Sequence, residues 1–130
     1  MIIGIGHDLT SLERIQQLLQ GQVGSRFISR ILTESEQEMA NAVSGSRRIE
    51  FIAGRFAVKE AVSKAFGCGI GGKLAFRDIE VGRDDLGKPI CRLSEDAWGR
   101  LNYEKEQIVV HVTITHDKML ASAFVILEQI

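Results

Sequence analysis

The sequence predicts an α+β fold, with an N-terminal strand and helices packed on an antiparallel sheet. Three observations predict it. A β-branched run of strand length, Ile2-Ile3-Gly4-Ile5-Gly6, opens the chain. Helical periodicity and helix-capping signals then crowd the first half, and two-residue alternation dominates the second.

The opening strand gives way at His7-Asp8-Leu9 to Thr10-Ser11-Leu12-Glu13, which reads as a capping box and places Asp8 at a strand-to-helix junction. Leu12, Ile15 and Leu19 mark one face of the first helix, which Gly21 stops. A short helix over Arg26 to Leu32 follows. The capping box Thr33-Glu34-Ser35-Glu36 then opens a polar helix expected at the surface. Arg47 to Phe66 holds no proline, carries apolar residues at helical spacings and ends at Gly67, so it predicts the longest helix. Beyond the Gly67 to Gly72 turn, Leu74 to Val81 and Pro89 to Leu93 read as strands joined through Asp84-Asp85-Leu86-Gly87-Lys88. Ser94, with Glu95 and Asp96 in the first turn, caps a short helix to about Asn102. Ile108, Val110, Val112 and Ile114 alternate, and Ala121 to Leu127 answers them across His116-Asp117-Lys118 as a C-terminal hairpin.

Composition narrows the function classes. A chain of 130 residues with 45% hydrophobic and 25% charged residues has the make-up of one soluble globular domain, expected to span residues 1–130. Scaling laws give such a domain roughly 7,000 Å² of accessible surface. A net charge of −1 supplies no field for nucleic acid or anionic membranes, so any anion site must be local. No apolar run reaches membrane-spanning length and no secretory signal order is present. The two cysteines, Cys68 and Cys91, form no CxxC pair, which fits a reducing, cytoplasmic setting.

Several residues could carry chemistry. Gly67-Cys68-Gly69-Ile70-Gly71-Gly72 satisfies GxGxxG in form, but a helix precedes it and a strand follows, the reverse of a dinucleotide fingerprint. It reads either as a helix C-cap or as a loop whose N–H groups touch a phosphate. Asp8 is either a helix cap or a metal ligand at a strand end, beside glycines that let a ligand approach. Glu60 and Lys64 stand four apart, as in a surface salt bridge. However, Glu60 lies in an apolar stretch where a charge needs a partner, and with Asp8 it could offer hard oxygen ligands to Mg²⁺. The three histidines have no zinc-site spacing, and His116 in the hairpin turn is either merely exposed or a base or phosphate contact. Arg14, Arg26, Arg30, Arg47 and Arg48 form either a solvated face or a basic patch for an acidic partner helix.

Two blocks in order, Gly4-Ile5-Gly6-His7-Asp8 and Gly54-Arg55-Phe56-Ala57-Val58-Lys59-Glu60-Ala61-Val62-Ser63-Lys64, closely resemble the holo-acyl-carrier-protein synthase family, the short bacterial 4′-phosphopantetheinyl transferases. Phe76-Arg77-Asp78-Ile79-Glu80-Val81, Gly87-Lys88-Pro89 and Val112-Thr113-Ile114-Thr115-His116 extend the resemblance over nearly the whole chain, while Cys68 stands where threonine is expected. The resemblance implies transfer of 4′-phosphopantetheine from coenzyme A to a serine of apo acyl carrier protein, in support of fatty acid biosynthesis. It implies Asp8 and Glu60 as Mg²⁺ ligands and Lys64 as the cation that neutralises the pyrophosphate. A metal-bound water held by Glu60, or else His116, would take the serine proton. A homotrimer with coenzyme A in clefts between subunits is implied too, with Arg55, His116 and the loop bearing Gly67, Gly69 and Gly71 reaching a neighbour's site. Arg14, with Arg26 and Arg30, would contact the carrier protein. The reading to set against this is a module that binds coenzyme A or carrier protein without turnover.

Overall fold

The computed structural model describes residues Met1–Ile130. In chain order the elements are β1 (Ile2–Ser11), α1 (Leu12–Leu19), α2 (Val23–Ile31), α3 (Glu34–Asn41), α4 (Gly45–Phe66), β2 (Ile79–Arg83), β3 (Pro89–Leu93), α5 (Glu95–Leu101), β4 (Ile108–His116) and β5 (Leu120–Gln129). The expected α+β class holds, with α4 laid across an antiparallel sheet ordered β1-β5-β4 and a separate β2-β3 pair beside it. The last strand is therefore central and the first is an edge. No helix is long and apolar enough to cross a membrane.

Pairing with β5 carries the first strand well beyond Gly6. Asp8 faces Ala123, Thr10 faces Ala121 and Ser11 faces Leu120, so Asp8 sits inside β1 rather than at its end. The expected capping box over Thr10 to Glu13 does not form. Ser11 caps α1 by accepting the Arg14 N–H at 3.2 Å, and the Thr10 hydroxyl turns to Asp8 instead. By contrast the Thr33–Glu36 capping box forms in full. Leu74 to Val81 divides into a 3₁₀ turn over Phe76–Asp78 and the strand β2, because the Asp78 carboxylate accepts the Ala75 N–H at 2.9 Å and tightens the chain there. The helix expected over Arg26 to Leu32 begins earlier, at Val23.

Two packed clusters hold the elements. One joins the far half of α4 to β2, β5 and Trp98 of α5, and the other joins α1, α2 and α3 to the near half of α4. Lys59 and Glu36, both wholly buried, lie between them as an ion pair with N–O 2.6 Å. The expectation that α3 is a purely surface element therefore fails at Glu36, whose charge is matched in the interior.

Candidate active site

The site is assembled where β1 crosses α4. A Cβ built on Gly4 would lie 2.0 Å from the Ala65 carbonyl oxygen, and one on Gly6 would lie 1.8 Å from that of Ala61. Only glycine lets the strand rest directly on the helix backbone. This corrects the expectation that these glycines clear a path for a ligand. What they admit is α4, and the contact carries Asp8 to the turn of α4 bearing Glu60 and Lys64.

There the Lys64 ammonium donates to Asp8 Oδ1 and to the His7 carbonyl, each at 3.2 Å, while the Thr10 hydroxyl donates to Asp8 Oδ2 at 2.8 Å. Both oxygens of Asp8 are thereby oriented. Lys64 remains 53% exposed, so the ion pair contributes little to stability and leaves the ammonium free to meet a ligand. Burial holds the Glu60 carboxyl above the usual carboxylate range, and the charge of Asp8 raises it further, with Lys64 and Arg14 opposing. Asp8, Glu60, Lys64 and Arg14 therefore share one electrostatic environment.

Two carboxylates, with no third His, Cys, Asp or Glu gathered beside them, make a poor zinc site. They fit Mg²⁺, which takes one or two carboxylates and leaves its other positions to water and phosphate oxygens.

The remaining expected residues lie apart from this cluster. His116 Nδ1 is 3.9 Å from Glu50 Oε2, and Glu50 precedes Glu60 on α4 by about 15 Å of helix rise. Within one chain, His116 is thus not beside the acid pair. Arg55 is 2% exposed and stacks on the Phe51 ring at 4.1 Å, and its Nε and Nη2 have no hydrogen-bond partner. Burial, then the positive charge of Arg83, lowers it to about 10 against the pull of Glu36. Gly67 is the left-handed C-cap of α4, with φ +75°. The N–H groups of Gly67, Cys68, Gly69 and Gly71 bond to carbonyls of the chain, which makes the start of the loop a capped turn, while those of Ile70 and Gly72 have no acceptor within the chain. What Gly67, Gly69 and Gly71 leave is open space where side chains would stand. Arg14 on α1 and Arg26 and Arg30 on α2 are exposed.

Sequence reasoning missed the Glu36–Lys59 pair. Its signal was available: the rule that a charge in the apolar stretch of α4 needs a partner applies to Lys59, fully buried, more strongly than to half-buried Glu60. Thr10, read as a cap, was missed as a partner of Asp8.

A family model for the 4′-phosphopantetheinyl transferase superfamily matches residues 4–123. The chain belongs to that superfamily. Within it, the chain is an enzyme of the holo-[acyl-carrier-protein] synthase type. It is 48% identical over 128 residues to the Bacillus cereus holo-[acyl-carrier-protein] synthase, which covers 98% of this chain and 97% of that one. Its fold is similar to the Bacillus anthracis holo-(acyl-carrier-protein) synthase crystallised in complex with CoA (3′,5′-ADP), with TM-score 0.85, 46% identity and 100% and 99% of the two chains covered. The Neisseria meningitidis holo-[acyl-carrier-protein] synthase gives TM-score 0.87 at 36% identity, covering 99% of this chain and all of that one. Both blocks that carry the transferase resemblance, through Asp8 and through Glu60 and Lys64, lie inside the matched span.

Proposed function

We propose that residues 1–130 act as one 4′-phosphopantetheinyl transferase domain. It moves 4′-phosphopantetheine from coenzyme A to a serine hydroxyl of apo acyl carrier protein, with Mg²⁺, and releases adenosine 3′,5′-bisphosphate. The observation that carries this reading is the meeting of Asp8, Glu60 and Lys64 at the β1–α4 crossing, with Lys64 bonded to Asp8 at 3.2 Å. Two acids and a cation are what phosphoryl transfer asks of a protein, since the chemistry is mostly positioning and charge neutralisation.

Asp8 and Glu60 would hold Mg²⁺, and when bound the ion neutralises pyrophosphate oxygens and orients them. Thr10 keeps Asp8 turned toward that position through its 2.8 Å bond. Lys64 sits where charge collects on the leaving phosphate as the serine oxygen forms its bond to phosphorus and the phosphorus–oxygen bond to adenosine 3′,5′-bisphosphate breaks. The serine proton passes to a water oriented by Glu60. Arg14, at the mouth of the same cluster, with Arg26 and Arg30 on α2, would meet the acidic surface of the carrier protein.

The enzyme would work in the cytoplasm, in support of fatty acid biosynthesis, as a homotrimer with coenzyme A between subunits. Three features support the assembly. The sheet face turned away from α4 exposes Ile5 (58%), Leu9 (59%) and Phe124 (43%). The surface of 7782 Å² exceeds the roughly 7,000 Å² of a compact monomer of this mass. A cleft of about 530 Å³ runs between the β2-β3 turn and that face, lined by Pro89, Ile90, Val112, Phe124 and Ile126 among others. In such an assembly a neighbour's Arg55, His116 and glycine loop can serve the site, and the unpartnered Arg55 nitrogens suit a phosphate.

Intact-mass spectrometry of apo acyl carrier protein incubated with the enzyme, coenzyme A and Mg²⁺ tests the reading. One phosphopantetheine should be added, and lost with EDTA or with Asp8→Ala/Glu60→Ala. Binding of coenzyme A without any mass gain would leave a binding module in place of an enzyme.

A further inference from the structure

The buried pair Glu36–Lys59 is a large investment of charge in the interior, and nothing in the chemistry above uses it. Its contacts are specific. The Lys59 ammonium donates to Glu36 Oε1 and to the Ile31 carbonyl, each at 2.6 Å. Glu36 Oε1 also accepts the Thr33 N–H at 2.8 Å, and Oε2 accepts the Val81 N–H at 2.8 Å. Lys59 of α4 is thus tied directly to the end of α2 and the start of α3, and through Glu36 to the middle of β2.

The position of Lys59 on α4 gives these ties a consequence. Successive helix residues turn by about 100°, so Lys59 projects about 200° away from Ala61, nearly opposite the face on which β1 presses. Glu60 projects between the two. Glycine contacts hold α4 close to β1 on one side but are backbone-to-backbone and grip no side chain. On Glu60 itself the neighbouring charge of Asp8 is repulsive, so the acid pair does not hold itself together. On this near side the side-chain tie is Lys64, half-exposed, to Asp8 and the His7 carbonyl, so rotation of α4 that would carry Glu60 away from Asp8 is opposed more firmly when the helix is also gripped on its far side.

Resting on the acid-pair reading above, we propose that Lys59, locked by Glu36, is a positioning residue. The pair sets the rotation of α4 about its own axis, so that Glu60 stays opposite Asp8 before any ion or substrate arrives. A buried ion pair is an uneconomical way to gain stability alone, since apolar replacements of like volume are often neutral or stabilising. Its use here is directional, because each bond specifies one angle of the helix.

The test is Mn²⁺ binding without coenzyme A, followed by electron paramagnetic resonance of the free ion, on the full chain. Glu36→Gln/Lys59→Met removes both charges at similar volume and keeps an amide oxygen as acceptor. It should stay folded, with Mn²⁺ affinity weakened about ten-fold or more and phosphopantetheine transfer reduced to a similar degree, as for residues that orient metal ligands. Ile79→Ala, a core truncation on β2, controls for stability and should leave Mn²⁺ affinity within about two-fold of wild type. Wild-type Mn²⁺ affinity in the folded double variant overturns the proposal, as does an equal loss in Ile79→Ala. Should the double variant fail to fold, Glu36→Gln/Lys59→Leu, which likewise leaves no buried charge unpaired, is read against the same ten-fold threshold. Asp8→Ala/Glu60→Ala separates the two levels: if it binds Mn²⁺ like wild type, the acid-pair reading itself has failed.

Discussion

Alanine at Gly6 tests how the site is built. Its Cβ would lie 1.8 Å from the Ala61 carbonyl oxygen and 2.9 Å from the Ala65 nitrogen, and both are backbone atoms of α4 that no rotamer change can move aside. Reaching even the tightest tolerated contact, near 3.0 Å, takes a retreat of about 1.2 Å by strand or helix. Overpacking of this kind costs typically about 1–3 kcal/mol, and two rigid elements place this case at or above the top of that range. Asp8 lies two residues along β1 on the same face, so the retreat also widens its separation from Glu60 and Lys64. A misplacement of about 1 Å at such a centre can cost about 100-fold in rate. Urea unfolding should therefore show a lowered midpoint, and transfer measured by carrier mass at a temperature where the variant is folded should fall by about that factor. Gly82→Ala, on β2, where nothing lies within 4 Å and φ is ordinary, should leave both unchanged. A Gly6→Ala protein with wild-type midpoint and wild-type rate would refute the claim that the glycine admits the helix.

Three further outcomes follow from the same geometry. Lys64→Met should lower kcat by about 100-fold, because a cation at the developing charge is lost, yet shift the unfolding free energy by no more than about 1 kcal/mol, since the pair with Asp8 is half-exposed. Steady-state kinetics beside denaturant titration separates the two. Arg14→Ala should raise KM for carrier protein about two- to five-fold and flatten its rise with added salt, read from KM at several ionic strengths. For Asp78, burial raises the carboxyl, but bonds from the Ala75 N–H, Ser94 and Arg100 outweigh it and hold it below the usual range. The stability so gained is fully present above the ordinary carboxylate pKa, near 4, and is lost as pH falls through the lowered value. Asp78→Asn should thus cost about 1–3 kcal/mol at pH 7, with the gap to wild type closing in acid, as measured by unfolding from pH 7 to pH 2.

What was legible in the sequence is what adjacent residues decide. The Thr33 capping box needs only residues three apart, and α4 needs only its own periodicity and the glycine at its end, so both stand where expected. The acids and lysine of the site were legible as candidates because Glu60 and Lys64 share a helix face and Asp8 sits in a conspicuous strand. Their meeting was not. It depends on β1 lying across α4, more than fifty residues away in sequence, and the reason for Gly4 and Gly6 appears only when the helix carbonyls are seen beneath them. The end of β1 was misplaced for the same reason. Its length is set by β5, whose residues pair with it from the opposite end of the chain. Glu36 shows the limit most clearly. Its role in the capping box is local and was readable, whereas its bonds to Lys59 and to Val81 N–H join elements that no local pattern relates.

The length of α4 bears on the proposed assembly. Over 22 residues it runs about 33 Å, close to the width of a domain of this size. Glu60 and Lys64 stand toward one end, with Asp8, while Glu50 and the His116 beside it stand toward the other. Arg55 lies between them, buried, with two donors unanswered. A straight helix cannot bring its own ends together, so in the proposed assembly a coenzyme A whose pyrophosphate rests at one subunit's acid pair would turn its 3′-phosphate toward the Arg55 and His116 region of a second copy. The exposed apolar face of the sheet is where such copies can pack. On this view oligomerisation completes the site, and substitutions that charge that face, such as Phe124→Asp, should abolish transfer and lower the mass seen in sedimentation together. A monomeric Phe124→Asp protein with full activity would require every group needed for transfer to lie on one chain.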